Sequence, residues 1–308
     1  MTAPDSVLLI AFGGPEKPED IRPFLQLVTA GRQIPAERVE EVAHHYEAIG
    51  GRSPLNELTF EQAKGLRRAL KREGLAHPVF VGMRNWHPFL HETLAAMKEG
   101  GHRRALGIIL SAFQTEASWQ RYIADVLAAR RKVGDGAPEV AYAPPWSGHP
   151  RFIEAAASRV ADALDPVPRE TRARTPLVFT AHSVPTTMAD GSPYVEQFWA
   201  ASQAVAERLG HPRWSVAYQS RSGSPRDPWL EPDVSDVLRA LAREGVTDVV
   251  VAPIGFVCDH VEVLYDLDVE ARQLAGKMGL RFQRAAAVND HPAFIEMLAD
   301  LALAALKG

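Results

Sequence analysis

Short apolar runs alternate along the chain with longer segments in which apolar positions recur every three or four residues. The runs at 6–11, 78–83, 105–111, 140–143, 176–180, 215–218, 248–253 and 281–285 predict strands. Several are apolar throughout rather than alternating, as strands buried on both faces of a parallel sheet are. The periodic segments predict helices at 18–27, 36–49, 61–73, 88–99, 118–133, 150–164, 194–209, 234–244, 261–278 and 292–306. This alternation predicts an α/β fold with doubly wound parallel sheets. The Pro- and Arg-rich stretch 165–174 marks a boundary between two halves, 1–165 and 166–308, with about four strands each and no clear internal sequence repeat.

Composition narrows the function classes. Apolar residues make up 46% of the 308 positions and charged residues 23%, which supports a large core. Lys plus Arg total 34 against 38 acids, a net charge of −4, so nucleic acid is not an expected partner. Cys258 is the single cysteine, too few for a disulfide or a four-thiolate iron–sulfur site. No apolar run approaches the ~20 residues of a membrane helix, and the N-terminus lacks a secretory pattern; no integral membrane segment and a cytoplasmic location are expected. G-x-G-x-x-G, the P-loop pattern, G-x-S-x-G and H-E-x-x-H are all absent.

Ligands of open α/β sheets bind beyond the carboxyl ends of the strands. The segments there are Phe12-Gly13-Gly14-Pro15, Arg84-Asn85-Trp86-His87, Ala112-Phe113-Gln114, Pro144-Pro145-Trp146, Ala181-His182-Ser183, Gln219-Ser220-Arg221 and Gly255-Phe256 leading to Glu262. They suit a flat, largely apolar ligand with anionic edges. His182 is the histidine placed most clearly at a strand end, where a ligand and a hydrogen-bonded structural role are both open. The segment from Asp259 to Glu270 carries five carboxylates and no cation, and Glu262, Asp266 and Glu270 share one helix face at a spacing of four. Like charges at that spacing repel, which makes a cation a natural partner. On spacing alone, however, Asp259 and Glu262 read as a capping box and the stripe as a solvated face. The segment His44-His45-Tyr46-Glu47-Ala48-Ile49-Gly50-Gly51-Arg52-Ser53-Pro54 reads equally as a helix end closed by Gly50 or as donors for a carboxylate.

The stretches LLIAFGGPEKPEDIRPFL, HYEAIGGRSPLNELT, GMRNWHPFLHETL, FTAHSVP, AYQSRSGSPRDPWLEP and PIGFVCDHVEVLYDLD resemble, in order and spacing, the ferrochelatase family along nearly the whole chain. GMRNWHPFL, and EPDVSDVL after PWL, resemble its bacterial coproporphyrin branch. The resemblance implies two Rossmann-like halves around a porphyrin cleft and insertion of Fe(II) into a porphyrin. His182 and Glu262 would be the catalytic, metal-contacting pair, with Asp266 and Glu270 on an outer metal path. Tyr46, Ser53 and Tyr122 match porphyrin-contacting positions; Phe12, His45 and Arg52 are grouped with them. Phe12 stands where some members carry a tyrosine able to approach iron. Fe(II) enters as substrate; no permanently bound cofactor and no iron–sulfur cluster are expected.

Metal insertion removes two pyrrole protons while Fe(II) sheds water. Imidazole suits both a borderline metal and proton transfer near neutral pH, and a carboxylate opposite it serves either need. Coproporphyrin III, with four propionates, is the expected substrate, with Arg32, Arg52, Arg84 and Arg121 as edge contacts and a haem-pathway enzyme as a transient partner. The alternatives are the same reaction on protoporphyrin IX, a cobalt chelatase acting on a corrin precursor, and a tetrapyrrole carrier without catalysis.

Overall fold

A computed structural model describes residues 3–31, 34–222 and 227–307. They form two compact units: unit 1 holds Met1–Ser111, Ala117–Pro145 and Asp290–Gly308, and unit 2 holds Ala112–Glu116 and Trp146–Asn289.

Unit 1 begins with β1 (Ser6–Ala11), α1 (Ile21–Thr29), α2 (Ala36–Ala48), α3 (Leu55–Arg72) and β2 (Val79–Met83). It continues with α4 (Leu90–Glu99), β3 (Arg104–Ile109), α5 (Arg121–Val133) and β4 (Glu139–Tyr142). Unit 2 holds α6 (Pro150–Leu164), α7 (Arg169–Arg172), β5 (Leu177–His182), α8 (Thr186–Asp190), α9 (Tyr194–Arg208), β6 (Trp214–Gln219) and α10 (Val234–Arg243). After β7 (Asp248–Ala252) come α11 (Val261–Leu264), a π-helical segment Asp266–Ala271, α12 (Arg272–Lys277) and β8 (Arg281–Arg284). The last helix, α13 (Pro292–Leu306), returns to unit 1.

Both sheets are four-stranded and parallel, ordered β2-β1-β3-β4 and β6-β5-β7-β8. The order is the same in each, so the backbone repeats a topology that side chains do not repeat. All six residues of β1 are buried, as a central strand covered on both faces requires. In unit 1, Leu8, Ile10, Leu94, Ile109 and Val126 build one core; in unit 2, Val178, Leu238, Val249, Val263 and Leu267 build another. No described helix is long and apolar enough to cross a membrane.

All eight expected strands form. The helices differ in three instructive ways. Helix α3 starts at Leu55 instead of 61, because its first turns bury Asn56, Thr59 and Gln62 rather than apolar groups. Asn56 is spoken for: its amide oxygen accepts from Gly14 N at 3.0 Å and its nitrogen donates to Gly14 O at 3.1 Å. A hydrophobic period cannot report a polar buried face. The helix expected at 261–278 is broken into α, π and α segments, since Val269 N and Glu270 N both donate to Tyr265 O. Finally, packing groups the chain otherwise than the expected division at 165/166. Helix α6 packs on α9, β7 and β8 of unit 2, and α13 packs on α3 of unit 1. Gly65 admits that contact: a Cβ there would lie 2.9 Å from Ile295 Cδ1.

The turn leaving β7 presses against the end of β5. A Cβ on Gly255 would lie 2.5 Å from Ala181 Cβ and 2.7 Å from its Cα, and Gly255 N donates to Thr180 O at 3.0 Å. Backbone blocks that methyl, so Gly255→Ala should cost about 1–3 kcal/mol or more. Urea unfolding measures it, and a change within about 0.5 kcal/mol would contradict the tight approach.

Candidate active site

In each sheet the strand order reverses direction between the first strand and its two neighbours, which is where open α/β sheets place ligands. In unit 2 that point is the carboxyl end of β5, and the residue there is His182. Its ring Nδ1 donates to Ser183 O, which turns Nε2 toward Glu262 Oε1, 3.4 Å away. Buried Tyr194 donates from its hydroxyl to His182 O at 2.8 Å and holds the backbone beneath the ring.

Glu262 is delivered by the chain leaving β7. The capping-box reading fails here. The N-cap of α11 is His260, whose Nδ1 accepts from Glu262 N at 3.2 Å, and Asp259 is engaged elsewhere. The Glu262 carboxylate is therefore free of capping duty and faces His182. Its backbone carbonyl accepts from Gln219 Nε2 at 2.6 Å. Gln219 is buried, and its Oε1 has no hydrogen-bond partner.

The two side chains are 29% and 37% exposed, so solvent screens the pair in part. Burial alone would lower the His182 ring, but the Glu262 charge and contact, the Ser183 carbonyl and Asp266 outweigh it and raise it to about 9. Burial would raise Glu262, yet His182 and then His260 hold it down at about 2. The resting pair is imidazolium and carboxylate.

Asp266 lies one turn along from Glu262. Burial and the neighbouring charges of Glu262 and Glu270 push it up to about 7, against the pull of a hydrogen bond from Ser220 Oγ. Ser220 holds a left-handed φ of 61°, uncommon for a residue with a side chain. Such strain persists where the surroundings over-determine it, here through its hydroxyl on Asp266. Glu270, expected on the same path, is exposed. Among the described residues no group of three or more His, Cys, Asp or Glu is arranged to hold a metal; His182 and Glu262 meet as a pair.

The other expected residues lie in unit 1. Phe12 is 39% exposed and meets Phe24 edge-on; Tyr46, nearly buried, meets the same ring. The Arg84 guanidinium lies 4.3 Å over the Tyr122 ring and bonds Asp125 at 2.6 Å, so this expected edge contact is spoken for within the unit. Ser53 is buried, with Oγ accepting from Leu55 N at 3.3 Å. Arg52 is exposed beside Glu57 at 3.5 Å, and burial lowers the His45 ring. Arg84 and Arg121 line a cavity of about 360 Å³ together with Asn85, His91 and Lys132. Arg32 lies outside the described residues.

Sequence reasoning missed four supporting side chains. Gln219 and Ser220 stand at a strand's carboxyl end and were visible as such, although their tasks were not. Tyr194 gave no signal because it acts through a tertiary hydrogen bond, and His260 gave none because the cap it makes was expected of Asp259.

The sequence pattern of the ferrochelatase family matches residues 4–306. The chain belongs to the ferrochelatase family. A coproporphyrin III ferrochelatase of Mycobacterium avium is 45% identical over 303 residues, covering 96% of this chain and 87% of that protein. One from Mycolicibacterium smegmatis is 43% identical over 300 residues, covering 96% and 88%. A ferrochelatase of Rhodopirellula baltica is 42% identical over 298 residues, covering 96% and 85%. Among solved structures, the sirohydrochlorin chelatase SirB of Bacillus subtilis subspecies spizizenii in complex with cobalt shares the fold, with a TM-score of 0.59 at 11% identity over 98% of this chain and 95% of that one.

Two outcomes follow for the His182–Glu262–Asp266 cluster. The raised His182 ring stabilises the fold fully below its ordinary value of 6.5 and loses that contribution as pH rises through about 9. The depressed Glu262 contributes above 4.5 and fades as pH falls toward about 2. The stability gap between the native protein and Glu262→Gln should therefore peak between pH 4.5 and 6.5, measured by denaturant melts across pH. Asp266, raised, runs the other way: it binds protons better folded than unfolded, so it costs stability as pH rises from 3.8 through about 7. Asp266→Asn should melt higher than the native protein at pH 8 and level with it near pH 3; equal melting at pH 8 would contradict the raised carboxyl.

Proposed function

We propose that this chain inserts Fe(II) into coproporphyrin III to give Fe-coproporphyrin. The observation that carries the reading is the His182–Glu262 pair at the switch point of the second sheet, in a chain 42–45% identical to the ferrochelatases named above. Metal insertion exchanges two pyrrole protons for one Fe(II). The resting charges divide the labour: the ring already holds a proton, so the Glu262 carboxylate is the group open to receive one. Asp266, poised near neutrality, takes the proton onward or meets the incoming cation. His182 can hold the metal only once its own proton has passed to the Glu262 carboxylate 3.4 Å away and on through Asp266 to solvent, which leaves Glu262 ionised again to receive each pyrrole proton. Glu270, exposed beyond Asp266, is the outer end of that path.

Phe12, His45, Tyr46, Arg52, Ser53 and Tyr122 are the porphyrin contacts of unit 1, with the exposed Phe12 ring against the macrocycle, the Arg52 cation toward its propionates and buried Tyr46, Ser53 and Tyr122 shaping the wall behind. Phe12 brings no oxygen to the metal, so no axial ligand comes from that position. The substrate choice draws on the relatives named for coproporphyrin III. The same reading places the enzyme in the cytoplasm and hands its product to a transient haem-pathway partner.

Anaerobic assay with Fe(II) and either porphyrin, at matched detergent, tests this directly. A higher kcat/KM on coproporphyrin III supports it; a higher value on protoporphyrin IX moves the substrate, and binding without turnover leaves a carrier. His182→Ala should lower turnover by about 10²–10⁴-fold with the fold and porphyrin binding retained. Asp266→Asn combined with Glu270→Gln should raise the Fe(II) concentration for half-maximal rate while lowering the maximal rate less than Glu262→Gln does. An unchanged iron dependence removes both acids from the metal path.

A further inference from the structure

The segment that carries Glu262 and Asp266 is held on both flanks by one shared guanidinium, with further partners on each flank. Arg284, the last residue of β8, donates from Nη1 to Asp259 Oδ1 at 2.9 Å and from Nε to Asp268 Oδ2 at 2.8 Å. It is 13% exposed, against 14% for Asp259 and 27% for Asp268. Asp259 is further tied by Ala287 N at 3.2 Å and by Asn289, which exchanges two hydrogen bonds with it at 2.8 and 3.0 Å. The second Asp268 oxygen accepts from Arg272 at 3.0 Å.

Asp259 stands three residues before Glu262, and Asp268 stands two after Asp266. Both flanks of the active segment thus end on the same planar group. Between them the backbone passes from α to π geometry, a form with poorer intrinsic stability that needs outside support. A guanidinium reaches two carboxylates at fixed angles, which a lysine cannot do. Taking one partner from a pair this buried leaves an uncompensated charge, so the surrounding backbone must move.

We propose that Arg284 is a positioning residue for metal insertion, which sets where Glu262 stands against His182 by clamping the acidic segment on both sides. Its side-chain hydrogen bonds go to Asp259, Asp268 and the Ala285 carbonyl, so it acts through the segment. The inference rests on the reading of His182 and Glu262 as the catalytic pair.

Arg284→Lys keeps the charge and loses the fork; Asp268→Asn loosens the far flank alone and becomes the deciding variant if Arg284→Lys does not fold. Each is melted, assayed well below its Tm, and examined by NMR for the ring nitrogen shifts of His182 in protein free of iron and porphyrin. The expected result is a folded protein with His182 shifts moved toward those of a solvent-exposed imidazole. Turnover should fall by about tenfold to a hundredfold, with the KM for coproporphyrin III within about twofold. A folded variant with a lowered Tm but native His182 shifts and native kcat would overturn the proposal, because a purely structural arginine predicts that pattern. The NMR arm keeps the two readings apart: an inactive native protein refutes the proposed function, while unmoved His182 shifts refute the clamp.

Discussion

Everything chemical in unit 2 depends on how closely the chain leaving β7 approaches the end of β5. The contact is backbone on backbone, with Gly255 against Ala181, and no side chain fits between them. From that point the chain runs through buried Phe256, Val257 and Cys258 to the His260 cap, and two residues later it places Glu262 at 3.4 Å from His182. A turn displaced outward by a methyl would leave the carboxylate short of the ring. The lone cysteine is one of the apolar-like groups filling this turn.

The five carboxylates between Asp259 and Glu270 look alike in the sequence, and their surroundings give them separate fates. Asp259 and Asp268 turn toward Arg284 and are paired there, with Arg272 on the second Asp268 oxygen. Glu262 turns the other way and is ionised by the His182 ring. Asp266, with a serine hydroxyl and acid neighbours but no cation bonded to it, answers burial by holding its proton more tightly. Glu270 stays in solvent. Like-charge repulsion along the stripe is relieved by this sorting, which leaves a depressed acid beside the imidazole and a raised one a turn further on.

The two sheets share one strand order and differ at the ends of their first strands. In unit 1, β1 leads into Phe12 and Gly13, where the exposed Phe12 ring meets buried Phe24, itself packed on buried Tyr46 and half-buried Trp86, beside the Arg84–Tyr122 stack. Unit 2 ends β5 in His182, with the charged pair and its supports. Topology repeats where only hydrophobic burial is needed, whereas side-chain chemistry departs from the repeat at the strand ends of the switch points.

Hydrophobic patterning along the chain determined the eight strands, the parallel α/β class and the position of His182 at a strand end, because burial on both faces writes a continuous apolar run that period alone can read. The motifs determined the family. Tertiary structure decided what period cannot carry. It began α3 at Leu55, where the buried face is polar, and it opened a π-turn where Tyr265 O serves two donors. It also made His260, rather than Asp259, the cap of α11. The spacing of Asp259 and Glu262 fits a capping box as well as a catalytic acid, and the arrival of Arg284 from β8, with Ala287 and Asn289 after it, draws Asp259 away. A helix cap is a local choice among neighbours in sequence, and it yields when a buried charge from another strand competes for the same carboxylate.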